Sequence, residues 1–515
     1  MPSADIVLKN ANVITMDARQ PAAGLVAITG DKISLVAGND ELASVAGAKT
    51  RVIDCQGSTV VPGFNDAHCH LFSFIRKLLG IDLSPESVSS IPDIQAAIRR
   101  RADDTPLGEW LSGSGYSEFS LVEKRHPTRW DIDEVAPDHP VILSHRSLHA
   151  CVLNTRALSL AGISRETPEP PGGLIDRDIA TGEPNGILFE MLGYIREKVM
   201  APLSDKQLDD TVSLANRHYL SYGITSLQDA TVSNGYGRWQ IIGGFQREGK
   251  LRSRICMMLG NQARSRFQEA GLKSGSGNNR LRLGAVKIML TEVVGGLQPS
   301  PAELNQQVLD CQRAGFQVAF HAIEENAVDA AISSLEYTHN YLSVAGRRHR
   351  IEHCAECPPR LLGRLRKIGA VIVTQPPFIY YSGERYLATV EDSRQPWLYR
   401  IKTLLDSGLI VAASSDSPVV QNNPLVGICA AVTRKTESGQ ELLPEEKISA
   451  GQALAMYTIN AAHASFEEGI KGSITSGKLA DFAVLSNDPA QVPPEQIKDI
   501  KVEMTILGGK VVWEA

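Results

Sequence analysis

The chain has 515 residues, of which 43% are hydrophobic and 21% charged, and its formal net charge is −6. This composition is typical of a soluble globular protein, and no apolar run approaches the roughly 20 residues that cross a bilayer. The acidic balance and the lack of basic clusters exclude a nucleic-acid partner, whose phosphates require a Lys/Arg surface, so a small molecule is the expected ligand.

The N-terminal sequence MPSADIVLKNANVITMD lacks the basic and apolar regions of a signal peptide, which predicts a cytoplasmic protein with no membrane partner. The eight cysteines form no repeating framework, so reduced thiols are expected. Cys354 and Cys357 form a CxxC pair without the second pair or histidines of a structural zinc site, and are predicted to be ordinary thiols. A homodimer is the expected assembly.

Both ends of the chain read as short strands separated by turns. The N-terminal segment contains GLVAITGDKISLVAG, and in the C-terminal VEMTILGGKVVWEA the GG between two apolar runs predicts a hairpin. The C-terminal piece is too short to bury a core by itself. We therefore expect residues 1–58 and 471–515 to form one small β-sandwich domain.

Between the two ends, Val- and Ile-rich runs alternate with helix-like stretches, which predicts parallel strands buried on both faces. The runs are 59–64, 223–229, 254–260, 284–290, 315–321, 349–354, 369–375 and 408–416. Eight such units predict an α/β fold, a (β/α)8 TIM barrel over residues 59–470. Residues 72–222 interrupt the rhythm and are predicted to be a large insertion after strand one over the barrel mouth, with its own strand PVILSH and a loop ETPEPPGG.

Polar side chains collect at the carboxyl ends of these runs, which meet on one face of a barrel. His68 and His70, in GFNDAHCH, project to the same side of an extended strand. Strands four, five, six and eight add Lys287, His321, His353 and Asp416. Each residue alone has an ordinary explanation, such as a snorkelling lysine, a core histidine or a helix cap. Burying all of these polar side chains together would cost free energy unless they shared a role, and binding a metal is such a role. The combination therefore predicts a metal centre.

The donor set predicts the chemistry. Four imidazoles and one carboxylate suit Zn2+, although other divalent transition metals accept the same donors. Burial lowers the pKa of a lysine, so Lys287 can be uncharged and can take up CO2 to form a carbamate that bridges two cations. Because a metal lowers the pKa of bound water to about 7, metal-bound hydroxide is the expected nucleophile. Asp416 is the expected catalytic proton carrier.

Several longer motifs together resemble the amidohydrolase superfamily, in the branch that contains N-substituted formamide deformylase. The motifs are GFNDAHCH, GEWLSGSGY, LSHRSLHACVLNTRALSLAGI, PEPPGG, RHRIEHC, ERYLA, SSDSPV, YTINAAHASF and KGSITSGKLADFAVLSNDP. The resemblance covers nearly the whole chain and implies an enzyme with metal ligands at His68, His70, His321, His353 and Asp416, two zinc ions and a carboxylated Lys287. It also implies hydrolysis of a non-peptide C–N bond in a small molecule, such as an N-substituted formamide, N-acyl amine, carbamate or lactam.

Three positions depart from the family pattern at the rim of the site. After strand four this chain has MLTEVVGG where relatives have an Asp-Gly pair. After strand five it has EEN at 324–326 where relatives usually have Gly-Asp, and in the insertion Leu148-His149 replaces Gly-His. These changes are expected to alter substrate choice, and they leave a mononuclear site open. His149 still lies in a matching motif, and its imidazole is the predicted catalytic group that holds a developing oxyanion.

The substrate pocket is predicted to take residues from two regions. The insertion supplies Trp110, Tyr116 and His145, and the segment after strand seven supplies Gln375, Phe378 and Tyr380. Packing is the alternative role of each, because aromatic side chains fill cores. Two other functions stay open at this point: ester or phosphoester hydrolysis at the same metal site, and non-catalytic binding of a small molecule.

Overall fold

A computed structural model describes residues 3–170, 172–199, 204–293 and 296–515. Pro171 of the predicted Pro/Gly-rich loop, and Val294 and Gly295 after strand four, lie outside the described residues. The chain forms two compact units; the first contains Met1–His70, Asn216–Asp416 and Gln421–Ala515, and the second Leu71–Ala215 and Ser417–Val420. Within the described ranges no helix is long and apolar enough to cross a membrane.

The first unit contains eight parallel strands that pair in chain order. They are Phe64–Cys69, Ile224–Asp229, Arg254–Gly260, Leu281–Met289, Val318–Ala322, Arg350–His353, Val371–Thr374 and Ile410–Ala413. The eighth strand returns to the first, because the backbone N–H of Asp416 donates to the carbonyl of His68 at 2.8 Å. Most of these strands are buried along their whole length, as expected when helices cover a parallel sheet. The predicted (β/α)8 barrel is confirmed.

The predicted first barrel strand, 59–64, is wrong. Thr59–Pro62 pairs with Phe482–Leu485 and with Asn12–Ile14, so it belongs to a sheet built from the chain ends. The first barrel strand is the next one, Phe64–Cys69, and it carries His68 within it. Strand Phe64–Cys69 carries the buried polar residues Asn65, Asp66 and His68, so hydrophobicity marks only the strand before it, from which a single glycine separates it.

Strands from both chain ends form two further sheets. The order of the first is Lys32–Ala37, Leu25–Thr29, Ile6–Lys9 and Arg51–Asp54. The order of the second is Lys510–Glu514, Val502–Leu507, Phe482–Leu485, Thr59–Pro62, Asn12–Ile14 and Ala22–Ala23. Leu8 and Ile28 of the first sheet share one apolar core with Val60 and Phe482 of the second, which confirms a β-sandwich built from both termini.

The last hairpin turns where the sequence predicts it. Gly508 and Gly509 join its strands with φ of 55° and 70°, a left-handed pair that glycine adopts without steric cost.

The helices of the first unit mostly follow the barrel strands. They are Leu42–Val45, Tyr236–Arg247, Arg264–Glu269, Pro301–Arg313, Glu325–His339, Pro359–Ile368, Pro377–Thr389, Ile401–Asp406, Pro424–Thr433, Ala450–Tyr457 and Ile459–Ala464. Local sequence sets their ends: Ser300 and Glu303 form a capping box at Pro301–Arg313, and Gly369 ends Pro359–Ile368 with φ of 67°. A short hairpin, Thr291–Val293 with Gly296–Gln298, follows the fourth strand.

The second unit has a mixed six-stranded sheet. Its order is Leu174–Arg177, Pro184–Phe189, Ala150–Leu153, Val141–His145, Leu111–Tyr116 and Ile81–Asp82. The last three strands are parallel to one another, and the predicted strand PVILSH forms Val141–His145. The helices are Leu71–Leu79, Ile91–Asp103, Arg129–Asp133, Thr155–Ala161, Leu192–Val199 and Asp205–Ser221, the last of which includes residues of both units.

Candidate metal centre

The six predicted ligand side chains all belong to the first unit. His68, Lys287, His321 and His353 lie on barrel strands one, four, five and six, whereas His70 and Asp416 follow strands one and eight. Nζ of Lys287 lies 3.3 Å from Nε2 of His68, and the rings of His68 and His353 are 4.9 Å apart. The structure therefore brings side chains from distant parts of the sequence to one place.

Three of these residues form the tightest group. The ligand atoms of His68, His70 and Asp416 lie within 4.8 Å of one another. Oδ1 of Asp416 is 3.0 Å from Nε2 of His70 and 3.5 Å from Nε2 of His68. This oxygen is buried, and no donor among the described residues is aligned for a hydrogen bond to it.

A buried carboxylate fixes the tautomer of His68. Nδ1 of His68 lies 2.6 Å from Oε2 of Glu352, which can only accept, so the ring proton resides on Nδ1 and the lone pair on Nε2. Glu352 is itself held by Nε of Arg350 at 2.6 Å. Burial, with added repulsion from Lys287, keeps the pKa of His68 well below its usual value, so the imidazole is neutral.

A hydroxyl group fixes the tautomer of His70, as the carboxylate of Glu352 fixes that of His68. Its Nδ1 lies 3.0 Å from Oγ1 of Thr231, whose single proton is donated to Asp229 at 2.6 Å. Nδ1 of His70 is therefore the donor to Thr231, and the lone pair of His70 lies on Nε2, the atom beside Asp416.

His353 and His321 form a second pair. Nδ1 of His353 lies 2.8 Å from Oε1 of Gln375, and the amide nitrogen of Gln375 donates to Ser414 at 3.0 Å. The amide oxygen can only accept, so His353 also carries its lone pair on Nε2, which faces Nδ1 of His321 at 3.1 Å. Burial lowers the pKa of His353 to about 4, which keeps the ring neutral at physiological pH.

These tautomers are the test of whether a cation suits the site. Nε2 of His68, Nε2 of His70 and Oδ1 of Asp416 bring three electron pairs together; Lys287 approaches the first of these atoms, and a cation among the three would accept all three electron pairs and neutralise the carboxylate. Two neutral imidazoles and a carboxylate are the donors of a catalytic zinc site with an open position. The residues present therefore suit a divalent transition metal.

Lys287 is buried in the barrel interior. Burial lowers its pKa to about 8, although Glu352 and Asp416 act in the opposite direction. About a tenth of this amine is thus uncharged at pH 7 and about half near pH 8, and the uncharged form can act as a nucleophile.

Asp416 and His353 share an unusual backbone conformation. Their φ values are 58° and 73°, in the left-handed region that costs a non-glycine residue about 1–3 kcal/mol. The backbone hydrogen bond from Asp416 to the carbonyl of His68 holds this carboxylate in place after strand eight.

The three substrate-binding candidates after strand seven belong to the first unit and differ in environment. Both ends of the Gln375 amide are occupied by His353 and Ser414, so the structure corrects its predicted role from substrate contact to orientation of a ligand. Phe378 and Tyr380 are half-buried on helix Pro377–Thr389. The predicted substrate contacts of these two aromatic residues stay predictions.

The candidates from the insertion all lie in the second unit. Tyr116 is fully buried in an apolar core, with its hydroxyl 3.0 Å from Nδ1 of His126, which corrects its predicted role from substrate binding to packing. Trp110 and His145 line a cavity of about 510 Å³. His149 is partly exposed, with Nδ1 2.7 Å from Oε1 of Glu190, and its predicted catalytic role stays a prediction.

The residues that orient the ligand side chains were not predicted from the sequence. Arg350 and Glu352 lie buried beneath His68, and Nη1 of Arg350 reaches Oε1 of Gln228 at 2.5 Å. One signal was present in the sequence: RIEH places two opposite charges two residues apart on a strand predicted to be buried on both faces, and buried charges need a paired role. Thr231, beside His70, has no comparable signal.

Comparisons with known proteins identify the family. The amidohydrolase family model matches residues 51–513. The chain is 30% identical to the N-substituted formamide deformylase of Arthrobacter pascens, over 99% of this chain and 98% of that protein. It is 27% identical to the protein LONG AFTER FAR-RED 3 of Arabidopsis thaliana, over 99% of this chain and 92% of that protein.

A solved structure shares the fold over nearly the same length. It is an uncharacterized metal-dependent hydrolase from Pyrococcus furiosus, 26% identical, with a TM-score of 0.74 over 94% of this chain and 100% of that one. The protein described here belongs to the amidohydrolase family, whose members are metal-dependent hydrolases, and the predicted membership is confirmed.

Proposed function

We propose that this protein is a metal-dependent hydrolase that cleaves an amide-type, non-peptide C–N bond of a small molecule: an N-substituted formamide, an N-acyl amine, a carbamate or a lactam. The observation that carries the proposal is the convergence of His68, His70 and Asp416, with their lone pairs directed at one another. The 30% identity to a formamide deformylase along the whole chain supports a C–N bond as the target.

His68, His70 and Asp416 would hold one cation. His321, His353 and a carboxylated Lys287 would complete a site for a second. A bound Zn2+ would lower the pKa of water and polarise the scissile carbonyl. Carboxylation of Lys287 would form one N–C bond between Nζ and CO2 with loss of one proton from Nζ, and the lowered pKa of this amine favours the reaction.

The protein's own residues would then position and transfer protons. Glu352 would hold the proton on Nδ1 of His68 and so keep Nε2 available as a ligand atom. Oδ1 of Asp416 would serve as a ligand, and Oδ2 of the same carboxylate would take the proton of the attacking water and return it to the leaving nitrogen. Burial of the site would strengthen each of these interactions by excluding bulk water.

The first test is metal dependence combined with a substrate panel. The purified protein, with its metal content measured, is assayed on formamides, N-acyl amines, carbamates, lactams, carboxylic esters and phosphoesters, with amine, alcohol and phosphate release scored separately. We expect amine release that a chelator abolishes and zinc restores. Release of alcohol or phosphate alone would contradict C–N specificity, and full activity in metal-stripped enzyme would contradict the metal mechanism.

The second test is Asp416→Asn. Removing a general acid–base group typically costs about 10²–10⁴-fold in kcat, and we expect a loss of at least this size. Asp406→Asn is the matched control, since Asp406 is exposed at the end of helix Ile401–Asp406 and pairs with Lys402. Equal activity in the two variants would refute the role of Asp416.

A further inference from the structure

Strands one and eight meet without the backbone pairing that joins the other neighbouring strands of the barrel. Ladders of paired backbone groups connect the strands in order from Phe64–Cys69 to Ile410–Ala413, but within the described residues no ladder joins these two end strands to each other. A backbone hydrogen bond crosses this seam, from the N–H of Asp416 to the carbonyl of His68 at 2.8 Å. Both residues are predicted metal ligands, so the width of the seam affects the distance between two ligand atoms.

The side chain of Asp66 bridges the same seam. Asp66 lies on strand one, two residues before His68, and is only 2% exposed. Its Oδ1 accepts the backbone N–H of Ser415 at 3.0 Å, and its Oδ2 accepts the hydroxyl of Ser415 at 2.5 Å. Oδ1 also accepts a long hydrogen bond, 3.4 Å, from the backbone N–H of His68. The carboxylate thus takes the place of a backbone ladder, and it binds the residue directly before Asp416.

The residue type suits this bridging role. A carboxylate is costly to bury unless hydrogen bonds compensate it, and here three donors converge on its two oxygens. An amide has one acceptor oxygen and a hydroxyl has one oxygen, whereas both oxygens of a carboxylate accept. The donors come from both sides of the seam, since His68 is on strand one and Ser415 follows strand eight.

The ligand atoms on the two sides of the seam are close enough to share a cation. Nε2 of His68 lies 3.5 Å from Oδ1 of Asp416. Zinc holds nitrogen and oxygen ligands at about 2.0–2.2 Å, and sites tolerate deviations of only about 0.2 Å. A shift of a few tenths of an ångström between strands one and eight would therefore weaken the binding of a cation by this pair of ligands.

We propose that Asp66 is a positioning residue of the metal centre, which holds strands one and eight at the separation that lets His68 and Asp416 bind the same cation. The inference rests on the proposed metal-dependent function, because it concerns the affinity of the same site. It assigns part of that affinity to a side chain whose hydrogen bonds go to two backbone N–H groups and a hydroxyl.

The first measurement is the zinc affinity of Asp66→Ala, by competition with a chromogenic chelator. We expect it to fall about 10–100-fold, the usual effect of losing a residue that supports a metal ligand. Glu446→Ala is the matched control: Glu446 is equally buried and accepts the backbone N–H and the hydroxyl of Thr403, on helix Ile401–Asp406. Both variants should lower the free energy of unfolding, but only Asp66→Ala should lower zinc affinity. Equal zinc affinities in the two variants would overturn the proposal.

A conservative variant and a spectrum test positioning directly. The amide in Asp66→Asn can still accept the N–H of Ser415 and can donate to its hydroxyl oxygen, so it should restore most of the zinc affinity lost in Asp66→Ala. The visible absorption of bound Co2+ depends on ligand geometry, and it should change in Asp66→Ala but not in Glu446→Ala. Asparagine as weak as alanine, or an unchanged Co2+ spectrum in Asp66→Ala, would contradict the positioning role.

A milder variant covers the case in which Asp66→Ala does not fold. Ser415→Ala removes the hydroxyl and keeps the backbone N–H, so zinc affinity should fall about five-fold, the equivalent of one hydrogen bond. Thr403→Val, which removes the corresponding hydroxyl of the control pair, should leave zinc affinity unchanged. Equal zinc affinities in these two variants would sink the proposal.

The unaltered protein separates this inference from the proposed function. Hydrolysis that persists in metal-stripped protein would refute the proposed function and, with it, the positioning role. Zinc-dependent hydrolysis in the unaltered protein, combined with unchanged zinc affinity in Asp66→Ala and Ser415→Ala, would refute the positioning role alone.

Discussion

Nδ1 of His68 lies 2.6 Å from Oε2 of Glu352, and both side chains are almost completely shielded from solvent. The contact sets which nitrogen of His68 faces the metal centre. Arg350 binds the same carboxylate through Nε and Nη2, at 2.6 and 3.0 Å, so the acid is held from its far side. The ligand is thus oriented by a chain of buried charges inside the barrel.

Glu352→Gln is expected to reduce metal affinity by about 10–100-fold, the usual effect of removing a carboxylate that supports a ligating histidine. The amide keeps the shape of the side chain but lowers the basicity of His68 and leaves Arg350 with a weaker partner. Zinc affinity is measured by competition with a chromogenic chelator. Glu391→Gln, an exposed acid of the same unit, is the control, and equal affinities in the two variants would contradict the role of Glu352.

Thr231→Val removes the hydroxyl that links His70 to Asp229 while keeping the volume of the side chain. We expect metal affinity to fall about ten-fold, because Nδ1 of His70 loses the group that fixes its tautomer. Thr231→Ser retains the hydroxyl and should restore most of the affinity. If serine and valine behave alike, the hydroxyl does not orient His70.

His349 should make the folded protein less stable in acid. It is buried between the backbone N–H of Val318 and the amide of Gln312, and burial lowers its pKa to about 3. In the unfolded chain the pKa is about 6.5, so between these values only the unfolded state takes up a proton, and stability falls as the pH falls. At about pH 5 this residue should account for a loss of about 2 kcal/mol.

His349→Gln removes that proton-uptake step. The variant should be less stable than the unaltered protein at about pH 7.5, because the hydrogen bonds of the imidazole are disturbed. The difference in unfolding free energy should shrink by about 2 kcal/mol on going to about pH 5. Urea unfolding at the two pH values measures both quantities, and a pH-independent difference would show that His349 is not the group responsible.

Two glycine substitutions should have opposite effects on stability. A Cβ at Gly427 would lie 1.9 Å from the hydroxyl of Tyr457, so Gly427→Ala should cost about 1–3 kcal/mol through overpacking of buried helices. A Cβ at Gly363, on the exposed side of helix Pro359–Ile368, meets nothing within 4 Å. Gly363→Ala should therefore stabilise the protein by about 0.5–1 kcal/mol. Thermal unfolding of both variants tests the contrast, and a neutral Gly427→Ala would contradict the tight packing.

Features that depend on periodicity were predictable from the sequence. Seven of the eight barrel strands lie in the runs where Val and Ile recur, because a strand covered on both faces needs apolar side chains at every position. The first strand was misplaced because Thr59–Pro62 is apolar, whereas the true first strand, Phe64–Cys69, alternates with buried polar residues such as Asp66 and His68. Only their different partners in the tertiary structure separate them.

Roles that depend on distant contacts were not predictable. Gln375 looked like a substrate contact, but its amide is taken by His353 and Ser414, and Tyr116 looked like a pocket wall but is part of a core. The sequence shows which functional groups a side chain carries. The residue that forms hydrogen bonds with those groups is distant in the sequence, and only the fold identifies it.

The sequence by itself determined the class of fold and the identity of the donor groups, because these follow from local periodicity and from the valence of each side chain. Tertiary structure alone decided which residues form the first barrel strand, that Arg350 and Glu352 lie beneath His68, and that Thr231 fixes His70. The physical reason is that hydrogen-bond direction and charge repulsion act over a few ångströms, and sequence separation carries no information about such distances.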